Sequence, residues 1–326
     1  MAEFKIPLLL FNDNFKDGYE DVFVRLLLKL QMETSPDDFS KYPSEIQDDI
    51  KNDLSEISNQ YTMIMANNMI RERVFDRVAD HLLKNGIKEF LPLKGTYLLK
   101  TFFKDHTGLR WMCDVDILVR KEDYFKSKEV LEKTGNVGVR LKDRPIYSKI
   151  FSDYPVHING TLVEIHRGKG AVDLFKIKYS DFFEAAVNNI VPPEYMAVFY
   201  LLHDMSDGLA TYQPLNFRKV VTMYILMNNV DMEKMMDLTK KYGMKELLDI
   251  YMFLLDEVFA GHKRFNPSPM FITRRIEKGD GHALFKFKYG DTFFKFFVFR
   301  KTLLRKTLPS LLTRIPEAIW SVFKGK

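Results

Sequence analysis

Apolar and polar residues recur with two different periods along this chain, and each period predicts one kind of element. Within residues 61–84 the apolar positions follow helical spacing: Ile64, Met65, Met69, Ile70, Val74, Val78 and Leu82. The spacing predicts a helix over 61–84 that stops at Gly86, because glycine adopts the left-handed conformation of a helix end. Residues 1–60 contain helix formers, charges and proline breaks, and they predict a helical lead-in.

Short apolar runs bounded by turn residues indicate strands between further helices. The run IKEFLPL, residues 87–93, predicts a strand that leads into the turn KGT and then into a helix from about Tyr97. Residues 113–119 predict a second strand, and the charged segment over 121–136 predicts the helix after it. The alternation of strands and helices predicts an α/β (α+β) core with a small, mixed, twisted sheet.

The clearest turn signal is the pair Asn159 and Gly160, which separates two alternating runs. Type I′ hairpins require positive φ at both central residues, and Asn-Gly satisfies that requirement. The turn places Ile158 opposite Thr161 and predicts one apolar face: Tyr154, Val156, Ile158, Val163 and Ile165. The opposite face then holds His157, Glu164 and His166.

Beyond Val191 the pattern becomes helical to about residue 260, which predicts a helical C-terminal domain over 191–326 after a core over 61–190. The tail from Phe285 to Lys326 interleaves aromatic with basic residues. Three interpretations fit such a tail: a helix packed on the domain, a peripheral membrane contact, or a single-strand nucleic-acid surface.

Composition narrows the class of protein only slightly. An apolar fraction of 46% is enough for a core, and 49 basic against 44 acidic residues leave a net charge of +5, which does not argue for a nucleic-acid partner. The single cysteine, Cys113, excludes an intramolecular disulfide and is expected to fill the core. Without a signal-peptide pattern or an apolar run of about 18 residues, we expect a cytoplasmic protein.

Two carboxylates interrupt the strand over 113–119. Strand alternation places Asp114 and Asp116 on one face, and it places Cys113, Val115, Ile117 and Val119 on the other. The two aspartates lie roughly 6.5 Å apart along the strand, close enough to hold one cation or a pair of Mg²⁺ ions for phosphoryl transfer. Glu164 is a candidate third ligand and general base, and the alternative for all three acids is a solvated strand face.

The segment PLKGTYL adds candidate phosphate contacts upstream of these acids. Gly95, at a strand-to-helix turn, leaves backbone N–H groups available to phosphate, and Lys94 and the Thr96 hydroxyl add a charge and a hydrogen bond. A phosphate cradle beside metal-binding carboxylates predicts a nucleotide site.

These residues carry a resemblance to a known family. The pattern LKGTYLLKTFF…GLRWMCDVDILVRKED…VEIH, within about Gly86 to Arg167, resembles the uncharacterised nucleotidyltransferase family of the polymerase β superfamily. Relative to the wider superfamily, the interval from Gly95 to Asp114 is long, and Glu164 stands where aspartate is usual.

The resemblance implies a role for each matching residue. Asp114, Asp116 and Glu164 become catalytic ligands of Mg²⁺ or Mn²⁺, and the phosphate contacts become Lys94, Gly95, Thr96 and Arg110. For Lys94 and Arg110 the alternative is a salt bridge to the same acids. His166 is a further candidate that touches substrate or orients Glu164, with an exposed hairpin histidine as its alternative.

The expected function is transfer of a nucleoside monophosphate from an NTP such as ATP to an unidentified hydroxyl or phosphate acceptor. The resemblance implies a place in surface-polysaccharide metabolism, because members are often encoded near such genes. Two alternatives stay open: a non-catalytic scaffold of the same fold that acts at a membrane or a partner through its tail, and a metal-dependent phosphohydrolase.

Overall fold

A mixed four-stranded sheet forms the centre of the predicted α/β core. The computed structural model describes residue 9 and residues 21–135, 153–167, 177–210, 215–259, 274–279 and 282–287. The strands of this sheet are β1 (Phe90–Pro92), β2 (Asp114–Val119), β3 (Asp153–Ile158) and β4 (Thr161–His166). Their order is β1-β2-β4-β3, in which β2 and β4 are parallel and the other two pairs are antiparallel. The predicted fold class is therefore confirmed.

The hairpin between β3 and β4 has the predicted turn and register. Asn159 has a φ of 50° and Gly160 a φ of 79°, as a type I′ turn requires. Ile158 is opposite Thr161, and Val156 is opposite Val163. The apolar face predicted from this register is buried in the core, with each side chain at most 1% exposed: Tyr154, Val156, Ile158, Val163 and Ile165.

The apolar face of β2 differs from the prediction at one position. Val115, Ile117 and Val119 are buried, but Cys113 is exposed, so the prediction that Cys113 fills the core is wrong. The strand begins only at Asp114, and strand alternation therefore does not extend to Cys113. Its carbonyl instead accepts a hydrogen bond of 3.3 Å from Arg71 Nε.

Helices flank the sheet in chain order. They are α4 (Leu54–Lys84), α5 (Lys94–Lys100), α6 (Tyr124–Glu132) and α7 (Tyr179–Ala185). Helix α4 starts earlier than the predicted residue 61 because buried Ile57 extends its apolar face by two turns before Ile64. It ends as predicted, since Gly86 has a φ of 77°.

Helix α5 also starts earlier than predicted. The turn KGT forms the first turn of this helix, because Leu93 is extended and its carbonyl accepts a hydrogen bond of 3.1 Å from the Tyr97 N–H. Lys94 begins the helix with a φ of 44°. This conformation is uncommon for a residue with a side chain.

The chain forms two compact units. The first contains the described residues within Asn59–Val172 and Ile177–Met196, and the four-stranded sheet lies in it. The second contains the described residues within Lys5–Ser58 and from Ala197 onward. The boundaries predicted after residues 60 and 190 remain predictions.

The second unit contains helices from both ends of the chain. The lead-in supplies α1 (Val22–Thr34), α2 (Pro36–Phe39) and α3 (Ser44–Asn52). The later helices are α8 (Pro193–Ala210), which begins in the first unit, α9 (Phe217–Met227), α10 (Met232–Tyr242) and α11 (Lys245–Val258). Helices were thus correctly predicted over most of residues 191–260.

A second sheet in this unit has no counterpart in the predicted elements. Its strands are β5 (Leu215–Asn216), β6 (Arg274–Gly279) and β7 (His282–Phe287), in the order β5-β7-β6. A two-residue strand shows no period, and the charged sequence RRIEKG of β6 does not alternate. Most of the basic aromatic tail, residues 288–326, lies outside the described residues. The three interpretations of this tail therefore remain predictions. Among the described helices, none has the length and hydropathy needed to cross a bilayer.

Candidate active site

Parallel pairing of β2 with β4 brings the predicted acidic residues together. Asp116 is the register partner of Glu164, and Leu118 is the partner of His166. Partners in a parallel pair point to the same side of the sheet, so the side chains of Asp116, Glu164 and His166 share the face opposite the core. The sequence predicted the face of each strand, and the structure adds the register that joins them.

Three side chains on this face form a compact group of metal-binding type. One ligand atom each from Asp116, Glu164 and His166 lies within 4.8 Å of the others. His166 Nε2 is 2.7 Å from Asp116 Oδ1 and 3.8 Å from Glu164 Oε2. Two carboxylates and one imidazole are therefore available to a single cation.

Lys94 reaches the same group from the start of α5. Its Nζ is 2.7 Å from Asp116 Oδ1 and 3.7 Å from Glu164 Oε2. The salt-bridge alternative stated for Lys94 is thus present in the structure, and its contact with phosphate remains a prediction. Because Asp114 also acts on this ammonium through its charge, Lys94 interacts with all three predicted acids.

Burial and charge act against each other in this group. Burial disfavours the charged form of Asp116, but Lys94 and the hydrogen bond with His166 outweigh it and hold the pKa of Asp116 below its usual range. Burial likewise disfavours the Lys94 ammonium, whereas Asp116 and Glu164 raise the pKa of that ammonium above its usual value. Asp116 and Lys94 therefore form a charged pair at neutral pH.

One oxygen of Asp116 has no hydrogen-bond partner. Lys94 and His166 both contact Oδ1, whereas no donor among the described residues contacts Oδ2, which is buried. Buried carboxylate oxygens are normally hydrogen-bonded or bound to a cation. An unsatisfied oxygen on a carboxylate that is grouped with Glu164 and His166 fits a divalent cation, which prefers hard oxygen ligands.

Asp114 lies at the edge of this group. It is the first residue of β2 and the register partner of Leu162. It is half-buried and does not belong to the three residues whose ligand atoms lie within 4.8 Å of one another. Burial, and after it the negative charge of Asp116, raises the pKa of Asp114. Asp114 thus binds a proton more readily than Asp116, and its role as a ligand remains a prediction.

Thr96 supports the strand that carries the aspartates. Its side chain is buried, and Thr96 Oγ1 accepts a hydrogen bond of 3.2 Å from the Asp116 N–H. The same hydroxyl lies 3.6 Å from Met112 Sδ. The structure thus assigns this hydroxyl to the backbone of β2, and its predicted contact with phosphate remains a prediction.

Gly95 allows Arg110 to approach the first turn of α5. A Cβ on Gly95 would lie 3.1 Å from Met112 Cγ and 3.3 Å from Arg110 Nη1, closer than ordinary contact. Arg110 Nε is buried and contacts no acceptor among the described residues. The structure thus places Arg110 beside Gly95, and the predicted contact of both residues with phosphate remains a prediction.

Asn68 is a supporting residue that the sequence patterns did not identify. It is fully buried on α4, and its Nδ2 donates to the carbonyls of Thr107 at 2.6 Å and Arg110 at 2.7 Å. Its Oδ1 accepts a hydrogen bond of 3.1 Å from the Met112 N–H. One signal was present in the sequence, because Asn68 is a polar residue four positions after buried Ile64 on the apolar face of the helix.

Comparison with known protein families gives one match. A family described as uncharacterised nucleotidyltransferase matches residues 44–260, a range that includes every residue of the site described above. No curated protein and no solved structure matches the chain.

Proposed function

Because the chain belongs to the uncharacterised nucleotidyltransferase family, we propose that it transfers a nucleoside monophosphate from an NTP to a hydroxyl or phosphate acceptor in a metal-dependent reaction. The observation that carries this proposal is the register of Asp116 with Glu164, beside Lys94 and His166. A cation next to paired carboxylates suits a polyphosphate substrate that arrives with its own divalent ion.

A divalent cation fits the donor set of the site. Asp116 and Glu164 would hold it through oxygen, with Asp114 as a further ligand at the edge. When bound, such an ion neutralises the charge that develops on phosphate oxygens during an in-line displacement. Mg²⁺ and Mn²⁺ are the candidates.

Glu164 and Asp116 differ in their exposure to solvent, and this difference suggests a separate role for each. Glu164 is 24% exposed, whereas Asp116 is fully buried. An acceptor hydroxyl can therefore reach Glu164, which accepts its proton, while Asp116 serves only as a ligand. The Lys94 ammonium and the Arg110 guanidinium stabilise the negative charge of the departing pyrophosphate.

The rest of the proposal extends the family resemblance. We propose ATP among the NTP donors, an acceptor in surface-polysaccharide metabolism, and a cytoplasmic location. Transfer of label from several labelled NTPs to components of a cell extract, followed by identification of the labelled product, tests the donor and acceptor together.

Removal of the two strand aspartates tests the site directly. We expect the parent protein to bind an NTP with Mg²⁺ or Mn²⁺, and we expect Asp114→Ala combined with Asp116→Ala to weaken this binding by roughly 100-fold or more, since loss of even an outer-shell partner of a metal ligand costs roughly 10–100-fold. Calorimetric titration measures the affinity. Asp76→Asn is the control, because Asp76 is a carboxylate with 66% of its side chain exposed and pairs with Lys100 outside the site.

The outcomes distinguish the proposed function from its alternatives. Release of pyrophosphate supports nucleotidyl transfer, whereas release of phosphate indicates a phosphohydrolase. Binding without either product indicates a non-catalytic scaffold. Equal affinity in the parent and the double variant contradicts the site.

A further inference from the structure

We propose that His166 binds the metal ion directly through Nε2, so that the site selects a divalent transition-metal ion of the Mn²⁺ type over Mg²⁺. This inference rests on the proposed function, because it concerns the ion bound at the same site. It goes further in naming a nitrogen ligand and in predicting which class of cation the protein prefers.

The first support for this inference is the position of the His166 imidazole. His166 follows Glu164 by two residues on β4, and strand alternation therefore gives both side chains the same face. Nε2 is the ring nitrogen that faces the carboxylates, 2.7 Å from Asp116 Oδ1 and 3.8 Å from Glu164 Oε2. With only 9% of its side chain exposed, His166 is held at this site by the surrounding protein.

The distances among the three ligand atoms fit one ion. Ligands bound at right angles about 2.1 Å from a metal ion are about 3 Å apart, and opposite ligands about 4.2 Å. The ligand atoms of Asp116, Glu164 and His166 lie within 4.8 Å of one another, so small side-chain rotations bring them to these spacings. The fully buried Asp116 Oδ2, which has no donor among the described residues, supplies a free oxygen ligand.

Binding requires a lone pair on Nε2. A neutral imidazole with its proton on Nδ1 has that lone pair, and this tautomer gives no proton to Asp116 through Nε2. Because a carboxylate oxygen accepts, Nε2–H donates to Asp116 Oδ1 in the metal-free site. On binding the ion, Nε2 gives up this hydrogen bond and the ring proton moves from Nε2 to Nδ1. Lys94 retains its contact with Oδ1 in this arrangement.

The donor set determines the class of ion. Imidazole suits transition-metal ions, whereas Mg²⁺ prefers oxygen ligands only. Two carboxylates with one imidazole therefore fit a divalent transition-metal ion that carboxylates also suit, such as Mn²⁺, better than they fit Mg²⁺. If His166 only positioned Asp116 and did not bind the ion, substitution of His166 would leave the preference of the site for Mn²⁺ over Mg²⁺ unchanged.

Pulsed electron paramagnetic resonance of the full chain with Mn²⁺ tests the nitrogen ligand. We expect the Mn²⁺ signal of the parent to show coupling to one imidazole nitrogen and to change with ¹⁵N-labelled histidine. The chain has seven histidines, so assignment requires a variant. His166→Gln should abolish the coupling. It should also weaken Mn²⁺ binding by roughly 10–100-fold, since loss of even an outer-shell partner of a metal ligand has an effect of that size.

Metal selectivity provides a second, independent measurement. The ratio of the Mg²⁺ to the Mn²⁺ dissociation constant should fall at least several-fold in His166→Gln, because the variant loses the nitrogen donor that favours Mn²⁺. His157→Gln is the matched control, since His157 lies on the same hairpin and is exposed. It should keep both the coupling and the parent ratio. His166→Asn serves if the Gln variant does not fold.

Two results would overturn the inference. Mn²⁺ binding without nitrogen coupling, or coupling that persists in the folded His166 variant, excludes His166 as a ligand while the proposed function stands. Absence of Mn²⁺ binding by the parent, with or without an NTP, overturns both proposals.

Discussion

At the scale of single residues, Lys94 has the most unusual combination of properties. Its φ of 44° lies in the left-handed region, which costs a residue with a side chain about 1–3 kcal/mol. Such a conformation persists where the surrounding contacts require it. Here Lys94 Nζ contacts both Asp116 and Glu164. These two attractive charge interactions offset the energetic cost of the backbone conformation.

Replacement of Lys94 tests whether this side chain neutralises the acidic residues of the site in the absence of metal. Lys94→Met leaves the fully buried Asp116 charge without its closest cation, and we expect a loss of about 3 kcal/mol in unfolding free energy without metal, as for other broken buried pairs. Saturating Mn²⁺ should raise the melting temperature more in this variant than in the parent, because the ion replaces the missing charge. Thermal unfolding followed by circular dichroism measures both effects.

Lys100→Met is the control for this prediction. Lys100 pairs with Asp76, which is largely exposed, and surface pairs contribute about 0–1 kcal/mol. An unchanged melting temperature of Lys94→Met in the absence of metal would show that Lys94 does not stabilise the acidic group.

At the scale of elements, helix α4 positions the segment that precedes β2. Asn68 uses both its amide nitrogen and its oxygen on backbone groups of that segment. Asn68→Leu would leave two carbonyls and one N–H without this partner, and we expect a loss of about 2–4 kcal/mol in unfolding free energy. We also expect weaker NTP binding, because the change displaces the Arg110 backbone. Denaturant titration and calorimetry measure the two quantities.

Asn67→Leu provides a matched control on the same helix. Asn67 makes its side-chain hydrogen bonds within α4, because Nδ2 donates to the carbonyl of Met63 and Oδ1 accepts from Arg71 Nη1. The control should keep nearly the parent stability and NTP affinity. Equal losses in both variants would mean that the helix, and not the contacts of Asn68, determines the effect.

Helix α11 carries a carboxyl group that opposes folding at neutral pH. Burial raises the pKa of Asp256 to about 6, and its buried Oδ1 contacts no donor among the described residues. The unfolded group has a lower pKa, so the folded state binds more protons between about pH 4 and pH 6. Stability therefore falls as pH rises through this window, and the full penalty applies above it.

Asp256→Asn should remove this pH-dependent penalty. We expect the variant to be more stable than the parent by about 1 kcal/mol above pH 6, a value reduced for the partial exposure of the group. The difference should vanish below about pH 4, where the parent carboxyl is protonated in both states. Melting temperatures of both proteins across this pH range provide the test. A difference that does not vary with pH, or one equally present in Asp249→Asn on the same helix, would contradict it.

At the scale of the whole molecule, prediction succeeded where the information is local. The Asn159–Gly160 turn, the end of α4 at Gly86 and the faces of β2 and β4 follow from short-range chemistry, and the structure confirms them. Prediction failed at Cys113, where the strand starts one residue later. It also missed the sheet formed by β5, β6 and β7. In this sheet β5 pairs with β7, which is far from it in the sequence, and β6 pairs with its sequence neighbour β7 although β6 has no alternating pattern.

The sequence by itself determined which side chains share a face, because alternation within a strand and the geometry of a two-residue turn are local properties. Only the tertiary structure decided that Asp116 meets Glu164 and His166, since pairing between strands whose contacting residues are 50 positions apart has no local signal. The same holds for Lys94 and Asn68, which reach their partners from helices. Folding thus turned two separately predicted strand faces into one charged site.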